Sequence, residues 1–302
     1  MLYSKHVDNV ISTLLDKLNS SVTSGFITSA VLYGSAATKE FIEGESDIDL
    51  MVVVSTNSGH IDVHQLQILY DTHRKFVEEA SLPIGLYVYG DDEIPTDETI
   101  GYNLLRTLFI YDYKAEGILL QGKDIIQAIP EPHLQLAAIK LANDFKRGLR
   151  MAIANSPYLS NAGSLKMLIG DRAGGTTHVT QNILLGVDDL LRWASYSAII
   201  VAKCALAYDG EIVTGKNKIG HIYLERNKYP EAYLFEPIYR WWIKHKSKEY
   251  ERWNLTNIKI SLDVPINEGV DLIMKALQFI ETTSYRLENL SRHRDRIAIP
   301  ED

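Results

Sequence analysis

Residues 30–35 read Ala30-Val31-Leu32-Tyr33-Gly34-Ser35, and residues 46–54 read Ser46-Asp47-Ile48-Asp49-Leu50-Met51-Val52-Val53-Val54. The first stretch is an apolar run that ends in Gly-Ser, which predicts a strand that turns directly into a helix. Glycine lets the backbone approach a ligand closely because it has no Cβ. The N–H groups at a helix start suit a phosphate, and the hydroxyl of Ser35 adds a donor. Gly34 and Ser35 are therefore predicted to bind a phosphate group.

The second stretch places two carboxylates at the start of a Val-rich strand. Side chains two residues apart on a strand point to the same face, so Asp47 and Asp49 should project together while Ile48 enters the core. Two like charges this close repel each other unless a cation lies between them. Mg²⁺ prefers oxygen ligands and commonly binds through one or two carboxylates plus substrate phosphates. We therefore expect Asp47 and Asp49 to be metal ligands beside the phosphate site.

Gly-Ser followed, after a spacer, by Asp-x-Asp on the next strand resembles the signature of the DNA polymerase β-like nucleotidyltransferase superfamily. The resemblance implies two Mg²⁺ ions held by Asp47 and Asp49, and a nucleoside triphosphate bound by Gly34, Ser35 and Ser46. The alternative is a Gly-Ser turn followed by a strand with two solvent-facing acids. Acids are poor strand formers, so two of them at the start of a Val-rich run favour the functional interpretation.

Strands and helices alternate up to about residue 126, which predicts a mixed α/β domain over residues 1–130. A Pro-rich link follows, and from residue 133 onward nearly every segment has helical period except the glycine-rich stretch 169–177. We therefore predict a second, all-α helical-bundle domain over residues 133–302. The expected elements of the first domain are helices at 5–20, 61–80 and 97–108, and strands at 28–33, 47–54, 84–89 and 116–124.

The second domain resembles the helical substrate domain of aminoglycoside nucleotidyltransferases. An apolar helix, a Gly turn, Lys216, an amphipathic helix and a Pro-x-x-Tyr motif at 230–233 follow one another. The resemblance implies that Lys216 reaches the triphosphate and that the acceptor lies in a cleft between domains. The alternative is a solvated lysine beside Lys218. A lysine is unfavourable at the positive end of a helix dipole, which suggests an anion nearby.

The sequence departs from the family at one catalytic position. Superfamily enzymes usually carry a third carboxylate near the start of a later strand, where it completes a metal site or takes the proton of the acceptor. Here that position is Gly85, which has no side chain to act as a base. A replacement could come from the strand end or from the helical domain, with Asp144 as the candidate catalytic residue; the full set is Asp91, Asp92, Glu93, Asp144, Asp188 and Asp189.

Composition narrows the partners of the protein. Its 302 residues are 46% hydrophobic and 23% charged, as in a soluble globular protein. The formal charge of −8 argues against nucleic acid as a partner and favours a small cationic one. The single cysteine, Cys204, excludes an intramolecular disulfide and indicates a reducing compartment. We expect a cytoplasmic protein without a membrane span, because the apolar run around Cys204 contains Lys203 and is short.

Together these features predict a Mg²⁺-dependent nucleotidyltransferase that moves a nucleoside monophosphate onto a hydroxyl of a small, aminoglycoside-like acceptor. AMP from ATP is the expected group, and another NTP stays possible. The alternative is a defence or toxin–antitoxin module that modifies a protein or RNA, or that only binds nucleotide. Two weaker patterns fit that alternative: Arg172 and His178 resemble the motif of HEPN ribonucleases, and the basic, aromatic stretch 240–253 could stack on RNA. The plainer interpretation of the stretch is an amphipathic helix with Trp241 or Trp242 in the core.

Overall fold

The computed structural model describes residues 5–38, 47–80, 84–101, 103–154, 165–169, 179–183, 187–226, 228–245 and 265–297. The chain divides into two compact units. The described residues up to Glu131 form the first unit, and those from Pro132 onward form the second.

The first unit is built on a four-stranded mixed sheet. Its strand order is β5-β2-β1-β6, in which β1 is antiparallel to both β2 and β6 while β2 is parallel to β5. This arrangement confirms the predicted mixed α/β fold. The elements are α1 (Lys5–Ser21), β1 (Ile27–Tyr33), α2 (Ser35–Thr38), β2 (Ile48–Val54), β3 (Thr56–Asn57), β4 (His60–Ile61), α3 (Val63–Ala80), β5 (Ile84–Gly90), α4 (Phe109–Glu116) and β6 (Ile118–Gly122).

The alternation of side chains along β2 decides which face of the sheet carries the carboxylate. Ile48, Leu50 and Val52 are buried in a hydrophobic cluster with apolar residues of α1 and α3. Asp49 lies between Ile48 and Leu50 in sequence, so the pleat sends it to the opposite face. The core under α1 and α3 therefore fixes the register that presents Asp49.

The helix predicted over residues 97–108 is absent from the described residues 97–101 and 103–108. Instead, a short 3-10 turn covers Leu104–Arg106, and α4 begins only at Phe109. The side chain of Asn103 accepts a hydrogen bond from the backbone N–H of Leu105 at 2.9 Å. Arg106 pairs with Asp97. These polar contacts compete with helical hydrogen bonds, which is why this stretch is a loop despite its apolar spacing.

The second unit is helical, as predicted. Its described helices are α5 (Leu134–Ala154), α6 (Val187–Tyr208), α7 (Lys216–Glu225), α8 (Ala232–His245) and α9 (Ile266–Ile297). α6 packs against α5, α7, α8 and α9, and its residues from Leu190 onward are largely buried. Cys204 is one of these core residues, as expected, and burial raises the pKa of its thiol to about 12.

Two features of this unit differ from the sequence-based expectation. A two-stranded antiparallel sheet, β7 (Leu165–Ile169) with β8 (Val179–Ile183), lies where helical period was expected to continue on either side of the glycines. The prediction that the apolar run around Cys204 is too short to span a membrane is also wrong. The segment Leu190–Tyr208 has the length and hydropathy of a membrane span. Burial of 83% of that window explains the apolar composition as that of a core helix.

Candidate active site

Asp49 is in close contact with the glycine of the Gly-Ser turn. Gly34 has a φ of +71°, and a Cβ placed on it would lie 2.2 Å from Oδ2 of Asp49. Only glycine therefore satisfies both the backbone conformation and the approach of the carboxylate. The two halves of the sequence motif, which are fifteen residues apart in the chain, meet at this point.

Gly85 lies on the other side of the same carboxylate. β2 and β5 are parallel, and Asp49 is the register partner of Gly85. A Cβ on Gly85 would lie 3.2 Å from Oδ1 of Asp49 and 3.2 Å from Cε2 of Tyr87. A carboxylate at position 85 would thus stand beside Asp49, and the glycine there offers no base; that the third carboxylate of the family belongs at this position stays a prediction.

The other members of the predicted phosphate site have different positions. Asp47 is exposed and precedes β2, while Asp49 is half-buried. The hydroxyl of Ser35 donates a hydrogen bond to the backbone oxygen of Asp47 at 3.3 Å, which ties the start of α2 to the aspartate pair. The described part of α2 is a single turn, so its dipole is small and phosphate binding would depend on individual N–H groups. Ser46 lies outside the described residues.

Tyrosines surround Asp49 on this face of the sheet. Tyr33 is the register partner of Asp49, and its ring contacts Tyr113 at 4.8 Å and Tyr87 at 5.5 Å between centroids. Burial, followed by the nearby Tyr113 and Asp49, raises the pKa of Tyr33 well above its usual value. Burial also raises the pKa of Tyr113 strongly, with Tyr89, Tyr87 and Asp49 adding to it. The hydroxyls of Tyr33 and Tyr113 therefore stay protonated at neutral pH and are not available as bases.

The carboxylates after β5 lie at the wrong end of the sheet to replace a base at Gly85. Gly90 is five residues further along β5, which corresponds to about 16 Å at a rise of about 3.3 Å per residue. Asp91 follows Gly90, and its Oδ1 accepts hydrogen bonds from the backbone N–H and the hydroxyl of Thr56. Glu93 accepts a hydrogen bond from the backbone N–H of Gly90. These side chains organise the strand end rather than the aspartate pair.

Lys216 is the first residue of α7, directly after Gly215, which has a φ of +81°. Its side chain is exposed, and its Nζ lies 5.0 Å from the ring centroid of Tyr196 and 5.8 Å from that of Trp242. Both distances are within the range of cation–π contacts. The predicted role of Lys216 at the triphosphate stays a prediction.

The candidate base Asp144 lies on α5. Its carboxylate forms ion pairs with Arg147 and, at 3.6 Å, with Lys140. The role of Asp144 as a base stays a prediction. Asp188 and Asp189 are in α6, and their side chains lie outside the described residues, as do Arg172 and His178.

The basic and aromatic stretch begins as the expected amphipathic helix. Trp241 is buried with 6% exposure, whereas Trp242 is half-buried on α8. Lys244 is exposed, as in the plainer interpretation. The stretch beyond His245 and up to residue 264 lies outside the described residues.

Among the residues that the structure describes, no three His, Cys, Asp or Glu side chains converge as a self-sufficient metal site. The aspartate pair nevertheless fits Mg²⁺ chemically, because this ion commonly uses one or two protein carboxylates and completes its shell with water and substrate phosphates.

The sequence alone did not point to the tyrosines or to the rings beside Lys216. Tyr33 and Tyr87 could have been found by alternation, since Tyr87 is two residues after Gly85 and Tyr33 directly precedes Gly34. Tyr113 comes from α4, and Tyr196 and Trp242 come from α6 and α8; no local pattern connects the first with Asp49 or the other two with Lys216.

Comparison with known proteins agrees with this geometry. Residues 11–101 match the family model of the nucleotidyltransferase domain, a range that contains Gly34, Ser35, Asp47, Asp49 and Gly85. The fold and the motif thus define this part of the chain as a polymerase β-like nucleotidyltransferase domain. Comparison with curated protein sequences gives no match.

Over nearly its whole length, the chain has the fold of an aminoglycoside nucleotidyltransferase. A similar solved structure is that of spectinomycin adenyltransferase AAD(9) from Enterococcus faecialis with ATP and spectinomycin. The two share 16% sequence identity with a TM-score of 0.54, and the match covers 95% of this chain and 100% of that one. At this identity the comparison supports the shared fold, and the substrates are a separate question.

Proposed function

We propose that the protein transfers a nucleoside monophosphate, AMP from ATP, onto a hydroxyl of a small acceptor. The observation that carries the proposal is the position of Asp49, whose carboxylate contacts Gly34 of the Gly-Ser turn and faces Gly85 on the next strand. This brings the Gly-Ser turn and the acidic strand together at one end of the two central strands.

Asp47 and Asp49 would hold Mg²⁺, with two ions as in the superfamily. Bound there, the metal would offset the negative charge of the triphosphate and of the transferring phosphoryl group. Gly34, Ser35, Ser46 and Lys216 would bind the nucleotide, with Lys216 as the residue proposed for the triphosphate. In the reaction, the acceptor oxygen bonds to the α-phosphorus, the bond from that phosphorus to the β-phosphate oxygen breaks, and pyrophosphate leaves.

The proton of the acceptor hydroxyl needs a destination that Gly85 does not provide. We propose Asp144 for this role. Residues 1–130 would then be the catalytic domain and residues 133–302 the substrate domain.

The acceptor class is proposed from charge and from the similar fold. A net charge of −8 favours a cationic small molecule. The similar solved structure contains spectinomycin together with ATP, which supports an aminoglycoside-like acceptor here. Nucleic acid and membranes are not proposed partners, and a cytoplasmic location fits an enzyme that uses ATP.

The glycine at position 85 favours a second candidate function. With a glycine beside Asp49 in place of a carboxylate, the protein would bind a nucleotide and its metal without turning it over, or would modify a protein or RNA partner slowly. Such a protein would act as a nucleotide-dependent interaction module.

One experiment separates the two candidates. The protein is incubated with ATP and Mg²⁺, with and without a panel of aminoglycosides, and the intact masses of acceptors and protein are measured. Transfer onto a small molecule predicts an acceptor heavier by one AMP and release of pyrophosphate. AMP on the protein itself would support the interaction module. Nucleotide that binds and stays uncleaved with every acceptor would contradict the enzymatic proposal.

A further inference from the structure

The ammonium group of Lys216 lies beside two aromatic rings that come from two different helices. Tyr196 belongs to α6 and Trp242 to α8, while Lys216 opens α7. The ring centroids are 5.0 Å and 5.8 Å from Nζ. A flexible lysine side chain is thereby held by three elements of the helical unit.

The rings hold the ammonium without neutralising it. None of the carboxylates in the described part of the chain forms an ion pair with Lys216. By contrast, Lys228 pairs with Asp209 at 2.9 Å and Lys275 pairs with Asp271 at 2.7 Å. An aromatic face attracts a cation through its quadrupole and carries no net charge, so Lys216 keeps its full positive charge for an anion.

The backbone next to Lys216, in the first turn of α7, is held by a hydrogen bond from α8. The hydroxyl of Tyr239 donates a hydrogen bond to the backbone oxygen of Asn217 at 2.7 Å. Its ring lies against Gly220, where an added Cβ would be 2.1 Å from Cε2. Because Tyr239 and Trp242 are on the same helix, α8 contacts both the first turn of α7 and the ammonium group of Lys216.

We propose that Tyr196 and Trp242 are positioning residues that orient Lys216 toward the triphosphate of the bound nucleotide. The inference rests on the proposed function, in which Lys216 binds that triphosphate. Fixing the ammonium in advance spares part of the entropy that a free lysine side chain loses on binding.

The test measures the dissociation constant of ATP in the presence of Mg²⁺ for a set of full-length variants. Lys216→Ala should weaken binding at least about tenfold, because it removes a charged hydrogen-bond donor. Tyr196→Leu and Trp242→Leu should each weaken the binding of ATP about two- to fivefold. Tyr196→Phe should bind ATP like the native protein, because the aromatic ring face remains. Tyr233→Leu, which removes an exposed ring from α8, is the control.

A double-mutant cycle then distinguishes positioning from general packing. In the Lys216→Ala background, Tyr196→Leu should have almost no further effect, because the rings act through the lysine. Thermal unfolding of every variant checks that the fold is kept. Trp242→Phe serves as a second, milder change if Trp242→Leu unfolds.

The orientation of the lysine can also be measured without nucleotide. In protein labelled with ¹³C-lysine, ring currents should shift the Hε protons of Lys216 upfield, and the signal is assigned by its loss in Lys216→Arg. The shift should shrink in Tyr196→Leu and in Trp242→Leu.

The outcomes separate the inference from the function on which it rests. Additive losses for Tyr196→Leu and Lys216→Ala, or an unshifted Lys216 signal, would overturn the positioning role and leave Lys216 as a ligand. Equal affinity of the native and Lys216→Ala proteins would overturn the inference while transfer at Asp49 stands. Absence of ATP binding by the native protein would overturn both.

Discussion

Asp49 is half-buried between two glycines that have different roles. At Gly34 the positive φ and the close carboxylate both require a residue without a side chain. At Gly85 there is no side chain on β5 beside Asp49. The first glycine is required by the local geometry, and the second one provides no ionisable group beside Asp49.

A substitution at Gly34 should affect both stability and binding. Gly34→Ala is expected to destabilise the protein by about 1–2 kcal/mol from the left-handed backbone alone, with a further loss as Asp49 is displaced. Gly25→Ala is the matched control, since Gly25 has a φ of +82° but open space around its Cβ position. Urea unfolding measures the stability of both variants, and titration with ATP and Mg²⁺ measures binding.

The comparison of Gly34→Ala with Gly25→Ala separates the effect of the contact with Asp49 from the effect of backbone strain. Gly25→Ala should lose stability from backbone strain and keep its affinity for ATP. Gly34→Ala should lose affinity as well. Equal affinity in both variants would show that the carboxylate is not needed where the structure places it.

A carboxylate introduced at position 85 tests whether Asp144 already takes the proton of the acceptor. Gly85→Glu is expected to increase the rate of AMP transfer by about a hundredfold if the native protein lacks a positioned base. Tyr87 must shift by a few tenths of an ångström to admit the new side chain. Gly85→Gln, of the same size but without a base, is the control. A Glu variant no faster than the Gln variant would mean that the proton already has another acceptor, such as Asp144.

At the scale of elements, apolar periodicity predicted most of the architecture. β2 was predictable because the apolar residues before and after Asp49 in the sequence form a continuous buried run. α1 and α3 were predictable because each has one apolar face. The loop before α4 was not, because the contacts of Asn103 and Arg106 that replace a helix depend on specific side-chain geometry. The two-stranded sheet of the second unit depends on pairing between Leu165–Ile169 and Val179–Ile183, which no local period reveals.

The start of α8 is joined to α9 by a buried carboxylate. Glu231 is 1% exposed, and its Oε1 accepts hydrogen bonds from Arg286 at 2.9 Å, Thr283 at 3.1 Å and Tyr223 at 3.3 Å. Removing one partner of a buried ion pair leaves the other charge uncompensated. Glu231→Gln is therefore expected to lower the free energy of unfolding by about 3 kcal/mol.

An exposed ion pair on the same helix provides the control for this prediction. Glu236 pairs with Arg240 at 2.6 Å, with 76% of the Arg240 side chain and 47% of the Glu236 side chain exposed. Glu236→Gln should change the free energy of unfolding by less than about 0.5 kcal/mol. Denaturant unfolding of both variants gives the comparison, and similar losses would contradict the structural role of Glu231.

At the scale of the whole molecule, buried tyrosines in both units should set the stability in alkali. Burial raises the pKa of Tyr33 and Tyr113 in the first unit and of Tyr223 in the second. Because the folded pKa is above the unfolded value near 10, the stabilisation is fully present below that pH and is lost as the pH rises through the folded pKa. Absorbance at 295 nm should show these tyrosines ionising only together with unfolding. A complete titration near pH 10 in folded protein would contradict their burial.

The role of each unit could be predicted from sequence only in part. Asp47, Asp49, Gly34 and the gap at Gly85 were visible because a short motif lies on adjacent strands of one sheet. The rings beside Lys216 were not visible, since α6, α7 and α8 are brought together by the core of the second unit. Residues that a short local motif brings together can thus be found in the sequence, while contacts that depend on tertiary packing need the structure.

The central claim is that Asp49 carries a metal-dependent nucleotide site, and calorimetric titration with ATP tests it most directly. The native protein should bind ATP in Mg²⁺ and lose at least about tenfold in affinity when Mg²⁺ is removed by chelation. Asp49→Asn should bind ATP only as weakly as the native protein does without Mg²⁺, whether or not Mg²⁺ is present. Its melting temperature should hold or rise, because the repulsion between two like charges is relieved. Asp71→Asn, a change to an exposed carboxylate on α3, should bind like the native protein. Binding by Asp49→Asn that equals native binding in Mg²⁺ would contradict the claim.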